Sequence, residues 1–161
     1  MEQQASRPRM GAIGAGSGAV ATLTMSALML AAQKAGLTGK LPPRKITQRA
    51  LEALHLRRGR KTDDVATFAA HLGYGSACGA LYSGWLRGRV MPRSPVTEGV
   101  LFGGVVWLAS YFVWVPALGI LPPPTKDRPG RAVTMFIAHV IFGAVLGALS
   151  PKRRGEQKRT K

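Results

Sequence analysis

The stretch FAAHLGYGSACGAL, residues 68–81, is nearly repeated as FIAHVIFGAVLGAL, residues 136–149. The two stretches agree at seven of fourteen positions without a gap, at a constant offset of 68 residues. The shared residues include the pairs His71/His139, Gly75/Gly143 and Gly79/Gly147. Self-similarity at a fixed spacing marks a structural unit that is used more than once. The sequence therefore predicts a molecule with two similar halves.

Charged and apolar residues are segregated along the chain. The 161 residues are 46% hydrophobic, yet the formal net charge is +16. Long uncharged segments alternate with short basic ones, and about 20 apolar residues cross the hydrocarbon core of a bilayer. We predict an all-α polytopic membrane protein whose four transmembrane helices form two similar helical hairpins. The predicted spans are residues 11–32, 65–86, 97–121 and 131–150.

The predicted transmembrane domain, residues 11–150, lies between a basic N-terminal segment, 1–10, and a basic disordered tail, 151–161. A secretory signal is the alternative for the first span, but its length and early glycines favour a retained helix. Segment 40–62 begins with Pro42 and Pro43, which suit the first turn of a helix. Its apolar residues predict an amphipathic helix in the headgroup layer. A solvated basic loop is the alternative.

Lysine and arginine residues lie at every predicted membrane boundary. This distribution predicts contact with anionic lipid headgroups. A nucleic-acid-binding protein would gather these residues on one folded face, so we do not expect nucleic acid as a partner. Lys and Arg number 11 on one side of the membrane and 12 on the other, so charge does not fix the orientation. Four spans nevertheless place both termini on the same side.

The repeat makes specific predictions about the two histidines. The second and fourth spans run in the same direction, so His71 and His139 should lie at the same depth and face one interior volume. An ionisable group inside a membrane suggests a functional site. We expect each imidazole to find a hydrogen-bond partner. The candidates are Tyr74, Ser76, Tyr111 and a carbonyl freed by Pro116.

Glycines recur at helical spacing in all four spans. Small residues at this spacing let helix backbones approach closely in lipid. Because neighbouring spans run in opposite directions, the early glycines of the first and third spans should meet the late glycines of the second and fourth. The predicted helix-packing residues are Gly14, Gly18, Gly75, Gly79, Gly99, Gly103, Gly143 and Gly147.

The sequence supports no enzyme class, and we expect no catalytic residues, no metal ligand set and no cofactor. The acidic residues lie outside or at the edges of the spans, where Asp63 and Asp64 should cap the second transmembrane helix and Glu98 should cap the third. The leading hypothesis is passage of a small solute or proton, or envelope homeostasis, through a His71/His139 site. One alternative is a structural or lipid-organising scaffold with packing histidines. A lesser alternative is a bis-histidine haem or metal binder.

Short motifs along the chain support a family resemblance. They are the glycine-rich first span, LPPR at 41–44, AH at 70–71, GILPPP at 119–124 and AHVIFG at 138–143. In the order of these motifs, the chain resembles the YagU-like inner-membrane proteins. These are small bacterial membrane proteins without an established activity. The resemblance implies a multi-pass inner-membrane protein with both ends cytoplasmic, and it implies no reaction. The acidic residue expected shortly before the last-helix histidine is absent, and Arg131 is the only charged residue there.

Overall fold

The computed structural model of the protein describes residues 2–39, 41–56, 59–87 and 94–150. These residues form helices and connecting turns, which confirms the all-α prediction. The α-helices are α1 (Glu2–Lys34), α2 (Pro42–Ala53), α3 (Arg60–Leu81), α4 (Pro95–Leu108), α5 (Val115–Ala117) and α6 (Pro129–Leu149). Two π-helical segments, Tyr82–Leu86 and Ala109–Trp114, extend α3 and join α4 to α5. A short 3₁₀ turn, Pro124–Lys126, precedes α6.

Three helical stretches in the described part of the chain are long and apolar enough to cross a membrane. They are Arg7–Lys34, Pro95–Ala117 and Pro129–Leu149. The stretch that contains α3 is not among them, because glycines and polar residues such as His71, Tyr74 and Ser76 lower its hydropathy. The protein therefore has three candidate membrane-spanning helices, and the fourth span stays a prediction.

The long helices assemble into a four-helix bundle. Helix α1 packs against α3 and α6, and α6 packs against α4. Aromatic contacts bring the remaining pair together, because Tyr82 lies against Phe102 and Tyr74 lies near Trp114. The side chains of the shared core are buried at the centre of the bundle, among them Ala21, Met29, Tyr82, Tyr111, Phe142 and Leu146. Helices α3 and α6, which carry the histidines, lie diagonally across the bundle.

Helix α1 is longer than predicted. It begins at Glu2 and includes Pro8, so residues 2–10 continue the first long helix instead of forming a separate segment. The predicted tail, residues 151–161, and most of the second loop, 88–93, lie outside the described residues.

Helix α2 forms within the basic segment, which rules out the loop alternative. It starts at Pro42 and Pro43, as predicted, and it ends where His55 adopts a left-handed φ of 55°. The structure corrects the predicted caps of α3, because this helix already begins at Arg60 and its N-cap is Gly59. Its two aspartates instead hold α2 against α3: Gln48 Nε2 donates to Asp63 Oδ2 at 3.2 Å, and Arg44 pairs with Asp64 at 3.1 Å.

The N-terminus of α4 is capped by Ser94, whose Oγ accepts a hydrogen bond from the backbone N–H of Thr97 at 3.3 Å. Glu98 is buried in the first turn, where its negative charge suits the helix dipole. Glu98 therefore lies in the predicted turn, but the cap of α4 is Ser94 and not Glu98.

The π-helical segment Ala109–Trp114 lies directly before Pro116. Proline removes a backbone donor and crowds the preceding turn, so the helix has to deviate there. The hydroxyl of Ser110 donates to the carbonyls of Val106 and Trp107, at 2.6 and 3.3 Å, within this widened turn. The helix is therefore distorted just before Pro116, which changes the shape of its inner face.

Candidate functional site

The predicted packing glycines meet in two matched sets. Gly14 and Gly18 of α1 lie against Gly75 and Gly79 of α3. A Cβ built on Gly79 would come within 2.7 Å of the Cα of Gly18. Real Cβ atoms do not approach a backbone so closely, so only glycine fits at Gly79 unless the helices move apart.

The second half of the molecule repeats this arrangement. Gly99 and Gly103 of α4 lie against Gly143 and Gly147 of α6, and a Cβ on Gly99 would lie 2.8 Å from the Cα of Gly147. Each half is therefore a tight antiparallel helix pair. The glycine contacts draw the helices together on the side of the bundle where α3 and α6 end.

The structure brings His71 and His139 to one cavity on the other side of these contacts. This cavity, called here the histidine cavity, has a volume of about 260 Å³. His71 lies eleven residues after the start of α3, and His139 lies ten residues after the start of α6. The two rings thus lie at the same level along parallel helices, as the repeat predicts.

The hydrogen-bond partners of the two imidazoles differ from those predicted. His71 Nδ1 lies 3.2 Å from Ser26 Oγ on α1, and His139 Nδ1 lies 2.7 Å from the carbonyl oxygen of Met135. A carbonyl only accepts, so the proton of neutral His139 resides on Nδ1 and Nε2 carries a lone pair. Within the described ranges, Nε2 of neither ring has a hydrogen-bond partner.

Aromatic and thioether side chains form most of the cavity wall. Trp107, Tyr111 and Trp114 line it from α4 and the following π-helical segment, and Met25, Met29 and Met135 line it from α1 and α6. The widened turn before Pro116 contributes two of these aromatic residues. The space is small and mainly apolar, so it suits a ligand smaller than the drug-sized molecules that occupy cavities of roughly 300–1,000 Å³. A porphyrin is larger than this space.

A buried ionic cluster lies beside the cavity. Tyr111 donates its hydroxyl hydrogen to Asp127 Oδ2, and Arg131 Nη1 donates to Asp127 Oδ1 at 2.7 Å. The side chains of Asp127 and Arg131 are only 3% and 7% exposed. Burial alone would raise the pKa of Asp127, but four effects outweigh it: the hydrogen bond from Tyr111, the hydrogen bond from the backbone N–H of Arg128, and both the charge and the hydrogen bond of Arg131. Together they hold the pKa of Asp127 below its usual value.

Helix α2 covers the histidine cavity. Pro42, Pro43, Ile46 and Thr47 all line it from this side. A second space of about 340 Å³, called here the peripheral cavity, lies between α1, α2 and α3 and reaches the ion pair of Arg44 and Asp64. His71, Met29 and Pro43 line both spaces. These three side chains therefore separate the histidine cavity from a space that leads to partly exposed charged groups.

A separate polar cluster lies where α3 and α6 end. Arg87, which is only 1% exposed, donates to the carbonyl of Ser150 and lies 3.4 Å from that of Gly147. The hydroxyls of Ser83 and Ser150 are 2.9 Å apart. A cation that binds the last carbonyls of a helix stabilises its C-terminus. This cluster therefore secures the end of α6.

A model of the family of unknown function DUF6789 matches residues 8–160. The chain belongs to this family. The match includes both glycine contacts, both histidines and the whole wall of the histidine cavity. No curated protein and no solved structure matches the chain.

Several residues of the site had not been identified from the sequence. Ser26 resembles any other small residue in the first span, and its role depends on how α1 is rotated against α3. Asp127 had a detectable signal, because it stands four residues before Arg131 and opposite charges at this spacing can pair. The methionines carry no signal in the sequence, because methionine is common in apolar cores. Within the described ranges, no group of three or more His, Cys, Asp or Glu side chains could hold a metal ion.

Proposed function

We propose that this protein crosses the bacterial inner membrane four times and passes a proton or a small solute through the His71/His139 site. The observation that carries the proposal is the placement of both imidazoles on one cavity inside the helix bundle. Histidine changes charge close to physiological pH, and ionisable side chains at membrane depth commonly mark ion and proton pathways.

The outer surface of α3 supports the fourth span. Phe68, Leu81 and Trp85 are 56, 49 and 49% exposed, as are large apolar side chains on the outer faces of the other three helices. Residues 60–86 are continuously helical, with a length of about 40 Å at 1.5 Å per residue. This exceeds the roughly 30 Å of a hydrocarbon core. Four spans place both termini on one side, which the resemblance to YagU-like proteins implies to be cytoplasmic.

The arrangement of the cavities suggests a route. The peripheral cavity reaches the Arg44–Asp64 ion pair, and His71 stands between this space and the histidine cavity. On the far side, the glycine contacts leave no room between α1 and α3 or between α4 and α6. On the same side Ser83 and Arg87 contact Ser150 across the two hairpins, so the state described is closed on the side of the termini. Because the glycine contacts lie within each hairpin, we infer that passage requires the two hairpins to tilt against each other along the contact of α1 with α6, which is the movement that repeat-built transporters use.

Proton flux into vesicles tests this proposal. The purified protein is reconstituted into liposomes that contain a pH-sensitive dye, and a pH gradient is imposed. We expect the wild-type protein to dissipate the gradient faster than empty liposomes, and His71→Asn or His139→Asn to return the rate to that of empty liposomes. His55→Asn is the matched control, because His55 is exposed at the end of α2 and lies away from both cavities. Equal rates for wild type and the two cavity variants would refute the proposal.

A scaffold is the second candidate function. The bond of His139 to the carbonyl of Met135 and the contact of His71 with Ser26 are what packing histidines would make. Under this alternative, the cavity variants would lower the unfolding stability, and the wild-type protein would not accelerate gradient decay. The vesicle assay and a thermal unfolding measurement on the same three variants therefore distinguish the two functions.

A further inference from the structure

The histidine cavity combines imidazole and thioether groups from three helices. Met25, Met29 and Met135 line it and are only 5, 1 and 3% exposed. Met25 and Met29 are four residues apart on α1, and Met135 and His139 are four residues apart on α6, so each pair lies on one face of its helix. His71 approaches from α3. The sulfur and nitrogen groups of all five residues therefore face one small volume.

Three of these residues also line a second, smaller space. A narrow pocket of about 30 Å³ is lined by Met25, His71 and His139 together with Cys78. The same Met25, His71 and His139 also line the histidine cavity. They therefore surround the place where the two spaces adjoin.

The donor chemistry selects a class of metal ion. Thioether sulfur is a soft ligand that favours Cu(I), and imidazole binds copper well. Calcium and magnesium require carboxylate or carbonyl oxygens, and no aspartate or glutamate is among the described residues that line the cavity. A monovalent ion also costs less to bury than a divalent ion in a site without negatively charged ligands. The cavity therefore favours a soft, singly charged metal ion.

The imidazoles are prepared for ligation. A metal-binding histidine usually donates its other ring N–H to a carbonyl or carboxylate, which fixes the tautomer and the orientation of the ring. His139 has this arrangement, because its Nδ1 lies 2.7 Å from the carbonyl of Met135 and Nε2 keeps its lone pair. Nδ1 of His71 lies 3.2 Å from Ser26 Oγ, and the tautomer in which Nδ1 donates to this hydroxyl leaves Nε2 with its lone pair. A purely structural methionine core would not require a ring held as His139 is.

We propose that Met25, His71 and His139 bind one Cu(I) ion, with Met29 and Met135 as the nearest additional thioethers. The hard divalent ions that usually bind phosphates, such as magnesium, do not suit this site. Ag(I) does suit it, because it has the same charge as Cu(I) and a similar ligand preference. The inference goes beyond the proposed passage, because binding at equilibrium needs only the cavity and not movement across a membrane.

Competition titration of the full-length protein in detergent tests the site. Under anaerobic conditions, Cu(I) is titrated in the presence of a chromophoric Cu(I) chelator, and Ag(I) is titrated in parallel as an ion that does not change oxidation state. We expect one ion per chain. Met25→Leu should weaken binding at least tenfold, and His71→Asn and His139→Asn should do the same. Leucine keeps the volume of methionine and removes only the sulfur, so folding should be retained.

The controls are Met10→Leu and His55→Asn, which change the same residue types away from the cavity and should leave the affinity unchanged. X-ray absorption at the copper edge should show both sulfur and nitrogen neighbours. Absence of ion binding by the wild-type protein, wild-type affinity in Met25→Leu, or a first shell without sulfur would each overturn the inference. Ion binding without any proton flux into vesicles would refute the proposed passage and support the metal site. Proton flux without ion binding would refute the metal site and support the proposed passage.

Discussion

Ser26 Oγ on α1 lies 3.2 Å from Nδ1 of His71 on α3, so the first histidine is held by a neighbouring helix. The second, His139, is held by the carbonyl of Met135 in its own helix. Aligning the glycine contacts places Ser26 at the position of Tyr111 in the second half, since Gly14/Gly99 and Gly18/Gly103 share that offset. Tyr111 uses its hydroxyl for Asp127 instead. The halves thus share the placement of the imidazole but not its support.

Removal of the Ser26 hydroxyl should weaken the packing of α1 against α3 and leave the packing of α4 against α6 unchanged. We expect Ser26→Ala to lower the free energy of unfolding by about 0.5–1.5 kcal/mol, the usual net contribution of a hydrogen bond. Thr24→Ala is the control, because the exposed Thr24 hydroxyl bonds only to Val20 of the same helix. It should change stability by less than about 0.5 kcal/mol. Unfolding by denaturing detergent measures both, and equal effects would show that the Ser26–His71 contact contributes nothing.

The glycine contacts predict that alanine substitutions at two glycines of α3 have very different effects on stability. Gly79→Ala should destabilise the bundle by about 1–3 kcal/mol, because the new methyl group meets the backbone of Gly14 and Gly18, which cannot rotate away. Gly73→Ala meets no atom within 4 Å and should be neutral or stabilise the helix by up to about 1 kcal/mol. Thermal unfolding in detergent compares the two. A Gly79 variant as stable as the Gly73 variant would contradict close packing at this position.

The sequence predicted the glycine contacts and the level of the histidines because both depend on quantities that a repeat supplies. Antiparallel neighbours place the early glycines of one helix level with the late glycines of the next, and the offset of 68 residues places His71 and His139 at equivalent points of parallel helices. The cross-helix partner of His71 could not be predicted in this way, because a hydrogen bond from Ser26 depends on the rotation of α1 about its own axis. The partner of His139 lay within reach of sequence analysis, since the carbonyl four residues earlier is always adjacent in a helix.

The ionic cluster of Tyr111, Asp127 and Arg131 is a second feature that the sequence alone does not predict. The sequence does not show that the chain after Pro123 returns to place Asp127 beside Tyr111, sixteen residues earlier. Arg131 pairs with Asp127, four residues before it. Such a contact depends on the path of a loop, which hydrophobic periodicity does not specify.

A measurement of membrane topology distinguishes a protein with three membrane spans from one with four. Reporters fused to the two termini should lie on the same side of the membrane if α3 spans it, because an even number of spans returns the chain to its starting side. Alkaline carbonate should leave the protein in the membrane pellet. Termini on opposite sides would show that only the three most apolar helices cross the membrane. Release by carbonate would contradict the membrane assignment as a whole.

The Asp127 cluster should make stability depend on acid pH. The pKa of Asp127 is lower in the folded protein than in the unfolded chain, whose aspartates titrate near 3.9. The folded state therefore binds fewer protons at this site, and its contribution to stability is complete above about pH 4. This contribution is lost as the pH falls below 4 and passes through the pKa of Asp127 in the folded protein. The loss is about 1.4 kcal/mol for each pH unit between the unfolded and the folded pKa.

Asp127→Asn should remove this dependence and lower the stability at pH 7 by roughly 1–3 kcal/mol, because the buried guanidinium of Arg131 loses its counter-charge. Asp64→Asn is the control: its ion pair with Arg44 is partly exposed, the two side chains being 50 and 30% accessible, and such pairs contribute about 0–1 kcal/mol. Denaturing-detergent titrations at pH 7, 5, 4 and 3 compare the three proteins. We expect the wild-type and Asp64→Asn curves to fall in parallel below pH 4, while the Asp127→Asn curve falls less. Parallel curves for all three would show that Asp127 does not carry the acid sensitivity, and equal stability of wild type and Asp127→Asn at pH 7 would show that the Tyr111–Asp127–Arg131 cluster contributes no net stability.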